Sequence, residues 1–490
     1  METARNPIEG DWLDPDCRVL ARVETDSGRY HATLAEGLEN GERDEANADP
    51  ALRSRPLLGI RLFEGLEDRG AGRYRGGSIY DPNSGREYRL QARLAAPDRL
   101  ELRAYAGIPA LGRTMTFRRA GRIFPEPADI DAEAGLDHAP PRWDTERALA
   151  WAAARPWTLG CNFIPSYAAN QIEHWSAARF DEALIGRELD LAASLGMNAA
   201  RVYLHDRAYA ADPSGFLDRV RRHLDLAGRL GIATLFVLFD DCWNDWPGLR
   251  RLPMVRKGVH NSAWLKSPGT RAVDDEDDWP RLEAYARGVV GSFREDLRIM
   301  GWDVWNEVGN FGALRPNTTR LLARAFRWVR EERPIQPLCS GVWKRSSWWE
   351  PLNRFILGAS DLASFHNYAP PAELEAEIDW IESVEPGRPV LCTEYMARTQ
   401  GSSFAACLPV LARRGVGAFN WGLVDGRTQT KYPWGGRPGA KEPELWFHDV
   451  FRSDLMPYDT SETDLIRSIA REYGTHGSRA APPTRADTLA

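Results

Sequence analysis

Between Trp157 and Trp421 the chain repeats one pattern, a short apolar run followed by a stretch with apolar residues at helical spacing. The runs are 158–164, 199–204, 233–239, 299–305, 337–342, 362–366, 390–394 and 418–421. Runs so short and so continuously apolar read as strands buried on both faces, which is the habit of parallel sheets. Segments 180–195 and 216–230 read as the intervening helices, with Gly196 and Gly231 placed to end them. Eight such units predict an α/β chain folded as a (β/α)8 TIM barrel over 147–474, with any site at the C-terminal ends of its strands.

The first 122 residues follow another rule. Runs at 17–23, 29–34, 57–63, 72–79, 88–94, 100–105 and 114–118 alternate apolar and polar, and glycines and prolines cut them. Period-two alternation with frequent turns predicts a small antiparallel β-barrel. Asp81-Pro82-Asn83-Ser84-Gly85 has the composition of a hairpin turn. Residues 123–146, with Pro125, Pro127, Pro140 and Pro141, read as an extended linker rich in proline and acidic groups. Residues 462–473 read as a last helix, and 475–490 as a disordered tail.

The charge balance excludes some partners. A net charge of −7 argues against nucleic acid, which favours a basic face. No run of about twenty apolar residues occurs, so no membrane span is expected. The first ten residues lack an apolar secretory core, so a cytoplasmic location is expected unless a leader has been removed. The six cysteines, at 17, 161, 242, 339, 392 and 407, form no CxxC pair, so neither a metal site nor a cofactor is expected. The acidic segment 274–278 reads as a solvated face. Nothing in the pattern fixes the oligomeric state.

The strand ends carry the chemistry. Arg201 lies on the second strand, Asp240 and Asp241 close the third, followed by Trp243, and Asn306-Glu307 close the fourth. His366 and Tyr368 close the sixth, Glu394 the seventh and Trp421 the eighth, with Trp434 in the segment beyond. An ionisable glutamate directly after a buried strand is a poor structural choice unless its charge is used. Two of them supply the parts for retaining glycoside hydrolysis, one protonating the leaving oxygen and one attacking the sugar carbon. Other uses remain open for single residues. Arg201 could pair with Asp206 or Glu173, His366 could be a core histidine, and Asp240-Asp241 could cap a helix as readily as bind sugar hydroxyls.

Two resemblances follow from these motifs. The runs 47–59, 77–88 and 107–113 resemble the bacterial domain-of-unknown-function family DUF2147, which implies a small β-barrel and no chemistry. The strand-end set from Arg201 to Trp421 resembles the clan A glycoside hydrolases, family-five-like members in particular, over about residues 156–450. That resemblance implies Glu307 as acid/base and Glu394 as nucleophile, with carboxyl groups about 5–5.5 Å apart. It also implies Arg201, Asn306, His366, Tyr368 and Trp421 around the cleaved sugar. Asp240 and Asp241 depart from it, standing where many members carry a histidine. Segment 422–434 with 444–449 resembles a subset labelled cellulase or xylanase by similarity. The expected activity is retaining hydrolysis of O-glycosidic bonds in an oligo- or polysaccharide. The alternative is a carbohydrate-binding or scaffolding barrel without catalysis.

Overall fold

The structure is a computed structural model that describes residues 6–15, 19–36, 43–120, 135–247, 252–310, 315, 317–345 and 349–474. The chain forms two compact units, residues 1–125 with 309–316 and residues 126–308 with 317–490. The first half of the expected linker, the expected tail and Cys17 lie outside the described residues.

The first unit is a closed antiparallel barrel of eight strands. They are β1 (Gly10–Leu13), β2 (Leu20–Asp26), β3 (Arg29–Glu36), β4 (Arg61–Asp68), β5 (Arg73–Asp81), β6 (Arg86–Ala96), β7 (Arg99–Tyr105) and β8 (Arg113–Arg119). The sequence pattern overlooks β1, whose Trp12 and Leu13 pair with Arg119 and Arg118 and shut the ring. It also sets the fourth strand too early: Leu57 packs instead with Leu34 and Ile60 in a satellite cluster. Alternate residues point inward and fill the lumen, among them Trp12, Tyr30, Phe63, Leu66, Tyr74, Leu90, Leu100, Leu102 and Phe117. The expected hairpin turn forms with Gly85 at φ +66°, where a Cβ would come within 1.8 Å of the Ala46 carbonyl oxygen.

The second unit is a parallel barrel. Its strands are β9 (Leu159–Phe163), β10 (Ala199–Tyr203), β11 (Ala233–Asp240), β12 (Ile299–Asn306), β13 (Leu338–Cys339), β14 (Gly341–Val342), β15 (Ala363–His366), β16 (Val390–Tyr395) and β17 (Gly417–Trp421). The two ends of the sheet, β13 and β14, are halves of the expected fifth strand, interrupted at Ser340. The Ser340 hydroxyl donates to the Trp305 carbonyl at 2.7 Å, which holds the break against β12. Longer helices follow the strands in turn, beginning with Glu182–Ser194, Pro213–Arg229 and Trp279–Phe293. Gly196 and Gly231 sit at φ +83° and +72° just past the first two, a conformation that favours glycine. The acidic segment begins at the last residue of a short helix, Thr270–Asp274, and forms a 3-10 turn, Glu276–Asp278, with Asp278 paired to Arg207 and Arg281.

One end of this barrel is sealed. Ala199, Leu235, Met300, Cys339, Leu362, Leu391 and Phe419 pack with Ala148 and Trp151 of helix Thr145–Ala153. Two residues further along β10, on the same face as Ala199, stands Arg201, and two further Tyr203. The interior thus turns from apolar to charged toward the C-terminal strand ends. Among the described residues no helix is long and apolar enough to cross a membrane.

Candidate active site

Three non-glycine residues at these strand ends adopt left-handed backbone conformations: Trp243 at φ +70°, Glu307 at +46° and Met396 at +76°. Such conformations persist only where the surroundings enforce them, and they concentrate at functional sites. They follow β11, β12 and β16, the strands that carry Asp240, Asn306 and Glu394.

Glu394 is buried and receives three donors. Arg201 Nη1 reaches its Oε1 at 2.8 Å, the Tyr203 hydroxyl reaches Oε1 at 2.8 Å, and the Tyr368 hydroxyl reaches Oε2 at 2.7 Å. Burial first, and the adjacent Glu394, push both phenols well above the usual tyrosine range, so both stay protonated and donate. Arg201 is fully buried and is fixed on every side. It donates to Asp303 Oδ2 from Nε at 3.0 Å and from Nη2 at 2.7 Å, to Asn162 Oδ1 at 2.8 Å and to Asn306 Oδ1 at 2.6 Å. Burial alone would disfavour its cation, but the Asp303 and Glu394 carboxylates outweigh that and hold it charged. Neither ion pair considered for it forms, since Asp206 is taken by Arg281 and Glu173 by Arg427.

Glu307 faces Glu394 across His366. Its Oε1 lies 2.8 Å from His366 Nδ1, which lies 3.7 Å from Glu394 Oε2. The other Glu307 oxygen accepts from the Cys242 thiol at 3.1 Å. Asn306 is tied at both ends of its amide: besides accepting from Arg201, its Nδ2 donates to Asp240 Oδ1 at 2.9 Å and to Cys242 Sγ at 3.4 Å. Asp240 also accepts from Trp264 Nε1 at 2.6 Å, Gln171 Nε2 at 3.1 Å and the Cys242 backbone N–H at 3.0 Å. Burial pushes its carboxyl up to about 6, against the pull of those hydrogen bonds. Asp241 is buried beside it, its N–H donating to the Asn306 carbonyl. No helix starts at this pair; among the described residues the next begins at Thr270.

Aromatic side chains wall the site. Trp421 packs edge-on against Tyr203, with ring centroids 5.8 Å apart, and against Trp264, also at 5.8 Å. These three rings, with Asn162, Thr428, Thr430 and Asp449, line a small recess. Trp243 stacks on His260 at 5.3 Å. Trp434 meets Tyr368 edge-on at 5.1 Å, and His260 and His448 complete the cluster. Burial lowers the His260 ring to about 4, so it serves as a neutral aromatic.

One potential ligand atom from each of Glu307, His366 and Glu394 lies within 4.8 Å of the others, a spacing a metal ion could bridge. The donor set does not favour one. Arg201 already supplies a fixed cation 2.8 Å from Glu394, and a second cation there would be repelled. The geometry is that of two carboxylates facing each other across an imidazole.

Several members of this network escape sequence reading: Asn162, Tyr203, Cys242, Trp264 and Asp303. Tyr203 had a signal, since it shares a strand face with Arg201 at a spacing of two. Asp303 had one as well, a carboxylate within an otherwise apolar strand. Trp264 had none, because a long loop delivers it to Asp240.

Residues 10–119 match a family described as an uncharacterized protein conserved in bacteria (DUF2147). No curated protein matches the chain. Among solved structures, a GH5_18 protein from Streptomyces cattleya in complex with GlcNAc is 16% identical, over 67% of this chain and 82% of its own, with a TM-score of 0.47. An exo-beta-1,4-mannosidase from Opitutaceae bacterium strain TAV5 is 19% identical, over 66% of this chain and 61% of its own, with a TM-score of 0.46. A Helicobacter pylori protein of the lipocalin family is 21% identical, over 23% of this chain and 82% of its own, with a TM-score of 0.22.

Proposed function

We propose that the protein is a retaining β-glycoside hydrolase acting on an oligo- or polysaccharide, with Glu394 as nucleophile and Glu307 as acid/base. The observation that carries this is the contrast between two buried carboxylates that approach within 4.8 Å. Glu394 is bonded by a guanidinium and two phenols, while Glu307 meets an imidazole and a thiol. Paired carboxylates in unlike environments are the division of labour that acid and nucleophile require. A close approach of this kind suits direct attack, whereas inversion needs about 6.5–9.5 Å to admit a water.

In the first step Glu307 gives its proton to the glycosidic oxygen as a Glu394 oxygen attacks the anomeric carbon. The C–O bond to the leaving sugar breaks and a glycosyl-enzyme ester forms. In the second step Glu307 takes a proton from water, the water attacks the same carbon, and Glu394 leaves as carboxylate. Arg201, Tyr203 and Tyr368 hold the nucleophile in place throughout. Trp421 floors the position of the cleaved sugar, and Asn306 faces its 2-hydroxyl. Trp243 and Trp434 contact sugars farther out. Asp240 and Asp241, enclosed by protein groups, support Asn306 rather than bind sugar.

The test is hydrolysis of a panel of aryl β-glycosides by wild type, Glu394→Ala and Glu307→Ala. Each variant should lose roughly a thousandfold or more in kcat. Azide should rescue them with opposite product stereochemistry: an α-glycosyl azide from Glu394→Ala and a β-glycosyl azide from Glu307→Ala. Wild-type turnover by Glu394→Ala would refute the assignment.

A further inference from the structure

Double displacement has no step for a thiol, yet one touches the acid/base. Cys242 is buried, its Sγ 3.1 Å from Glu307 Oε2 and 3.4 Å from Asn306 Nδ2. Its backbone N–H is bonded to Asp240 Oδ1 at 3.0 Å, and the chain leaves it through Trp243 at φ +70°. The sulfur is therefore held by its own backbone, by a strained successor and by Asn306. Asn306 donates to the sulfur, and the thiol donates to Glu307 Oε2, with the Asp240 carboxylate as a second acceptor beside it. By contrast Cys161, Cys339 and Cys392 sit within β9, β13 and β16, where cysteine acts as a small hydrophobe.

We propose that Cys242 is a positioning residue for the acid/base, fixing Oε2 of Glu307 with a donor weak enough to leave that carboxyl able to hold its proton. The inference rests on the assignment of Glu307 as acid/base. An acid catalyst has to carry a proton when substrate arrives. A hydroxyl, amide or ammonium donating to Oε2 would favour the carboxylate and work against that. A thiol is a weak donor, so it orients the carboxylate plane at little cost to protonation. It also remains a thiol. Burial, then Glu307 and Asp240, push its titration well above the usual cysteine range, so no thiolate forms to repel the acid.

The groups facing Glu307 fall on both sides of this balance. His366 comes from β15, Tyr368 from just beyond it, Glu394 from β16, and Cys242 from beyond β11. Asp240 and Arg201 act from behind, through Asn306. Burial and the nearby Glu394 favour a neutral Glu307, while a donating imidazole favours its anion. Cys242 can be altered without changing any formal charge and without touching Glu394, to which Tyr368 is bonded.

The experiment compares wild type, Cys242→Ser and Cys242→Ala on two aryl β-glycosides, one with a good leaving group and one with a poor one, across pH. The serine hydroxyl is the stronger donor. It should move the alkaline limb of kcat/KM to lower pH by about 0.5–1 unit and slow the poor leaving group selectively, since only that substrate needs the acid. Cys242→Ala should leave that limb unmoved or move it slightly to higher pH, with a smaller selective loss from a less ordered carboxyl. Equal slowing of both substrates with a fixed alkaline limb in both variants would mean packing alone and would overturn the proposal. Glu307→Ala on the same substrates separates the two claims. If it shows no dependence on leaving group, the acid/base assignment itself fails, whatever Cys242 does.

Discussion

The two barrels of this chain solve closure in opposite ways. The first fills its lumen with hydrocarbon, indole and phenol, from Trp12 through Leu66 to Phe117. The second does so only at its sealed end, and then places Arg201, Asp303, Asp240 and Glu394 in its interior, each almost wholly buried. Filling a barrel lumen evidently needs no buried charge, and the buried Asp44 of the first unit is not part of that apolar cluster. Taking charges out of water is costly, and replacing a buried ion pair by well-packed apolar groups is often neutral or stabilising. The charges in the second barrel therefore have to be explained by what they do, and all of them converge on two glutamates.

The sharpest way to break this contrast is to make the second barrel resemble the first. Arg201→Met removes the cation and leaves Asp303 and Glu394 buried without it. It should cost about 3–5 kcal/mol in denaturant unfolding and abolish hydrolysis of aryl β-glycosides. Adding Asp303→Leu and Glu394→Leu should restore much of the stability and none of the activity. If the triple variant were less stable than Arg201→Met, the network would be structural in its own right and the contrast would fail.

The converse change lies in the first barrel. Trp12 is fully buried, donates to the Ile8 carbonyl at 2.7 Å and packs under the Arg119 guanidinium at 4.2 Å. Trp12→Ala should destabilise that unit by about 3–5 kcal/mol. Glycoside hydrolysis by the full chain at a temperature below the transition should not change. Residues 147–490 expressed alone should likewise retain turnover of a small aryl glycoside. A soluble but inactive fragment would show that the first unit contributes to the site.

The next effect separates near sugar contacts from far ones. Trp421→Ala should lower kcat/KM by about 10–100-fold, because positioning and transition-state contact are lost together. Trp243→Ala and Trp434→Ala should act mainly on KM, since remote binding is felt more uniformly along the reaction. Steady-state kinetics on variants with matched Tm would decide it. A wild-type kcat/KM for Trp421→Ala would remove β17 from the site.

These contrasts also show why some of the molecule could be read in advance. The parallel strands were legible because burial on both faces leaves an uninterrupted apolar run, and the eight expected runs overlap β9 to β17. β1 was not legible, because four residues, Gly10–Leu13, are too few to show alternation. β4 was displaced because Gly65 interrupts its pattern while Leu57, outside the strand, is apolar for the sake of another cluster. In the site, residues at the last position of a strand were legible, since an ionisable group there breaks the apolar pattern. Asn162, Trp264 and Cys242 were not. Their value depends on distances to Arg201, Asp240 and Glu307 that exist only once the ring has closed.

The smallest expected effect tests whether a buried carboxylate outside the site behaves as the argument from cost requires. Glu188, on helix Glu182–Ser194, is fully buried, and the Ser166 N–H donates to its two carboxylate oxygens, at 3.1 and 3.3 Å. Glu394 has a guanidinium at 2.8 Å, whereas among the described residues no ion pair is formed by Glu188. Burial pushes the Glu188 carboxyl up to about 7, with the Ser166 hydrogen bonds opposing. An unfolded glutamate titrates near about 4.3. Between those values the folded state binds the proton and the unfolded state does not, so stability falls as pH rises through the window. Glu188→Gln keeps an acceptor for Ser166 and removes the titration. The variant should match wild type near pH 4.5 and exceed it increasingly up to about pH 7.5, by about 1–3 kcal/mol at the end. Asp240 and Asp449, raised to about 6 and about 7, contribute slopes of the same sign, so the wild-type profile alone is not diagnostic. The difference between the two proteins is. A pH-independent difference would mean that Glu188 is ionised in the folded protein at low cost, and that burial of charge in this barrel is less expensive than its contrast with the first one implies.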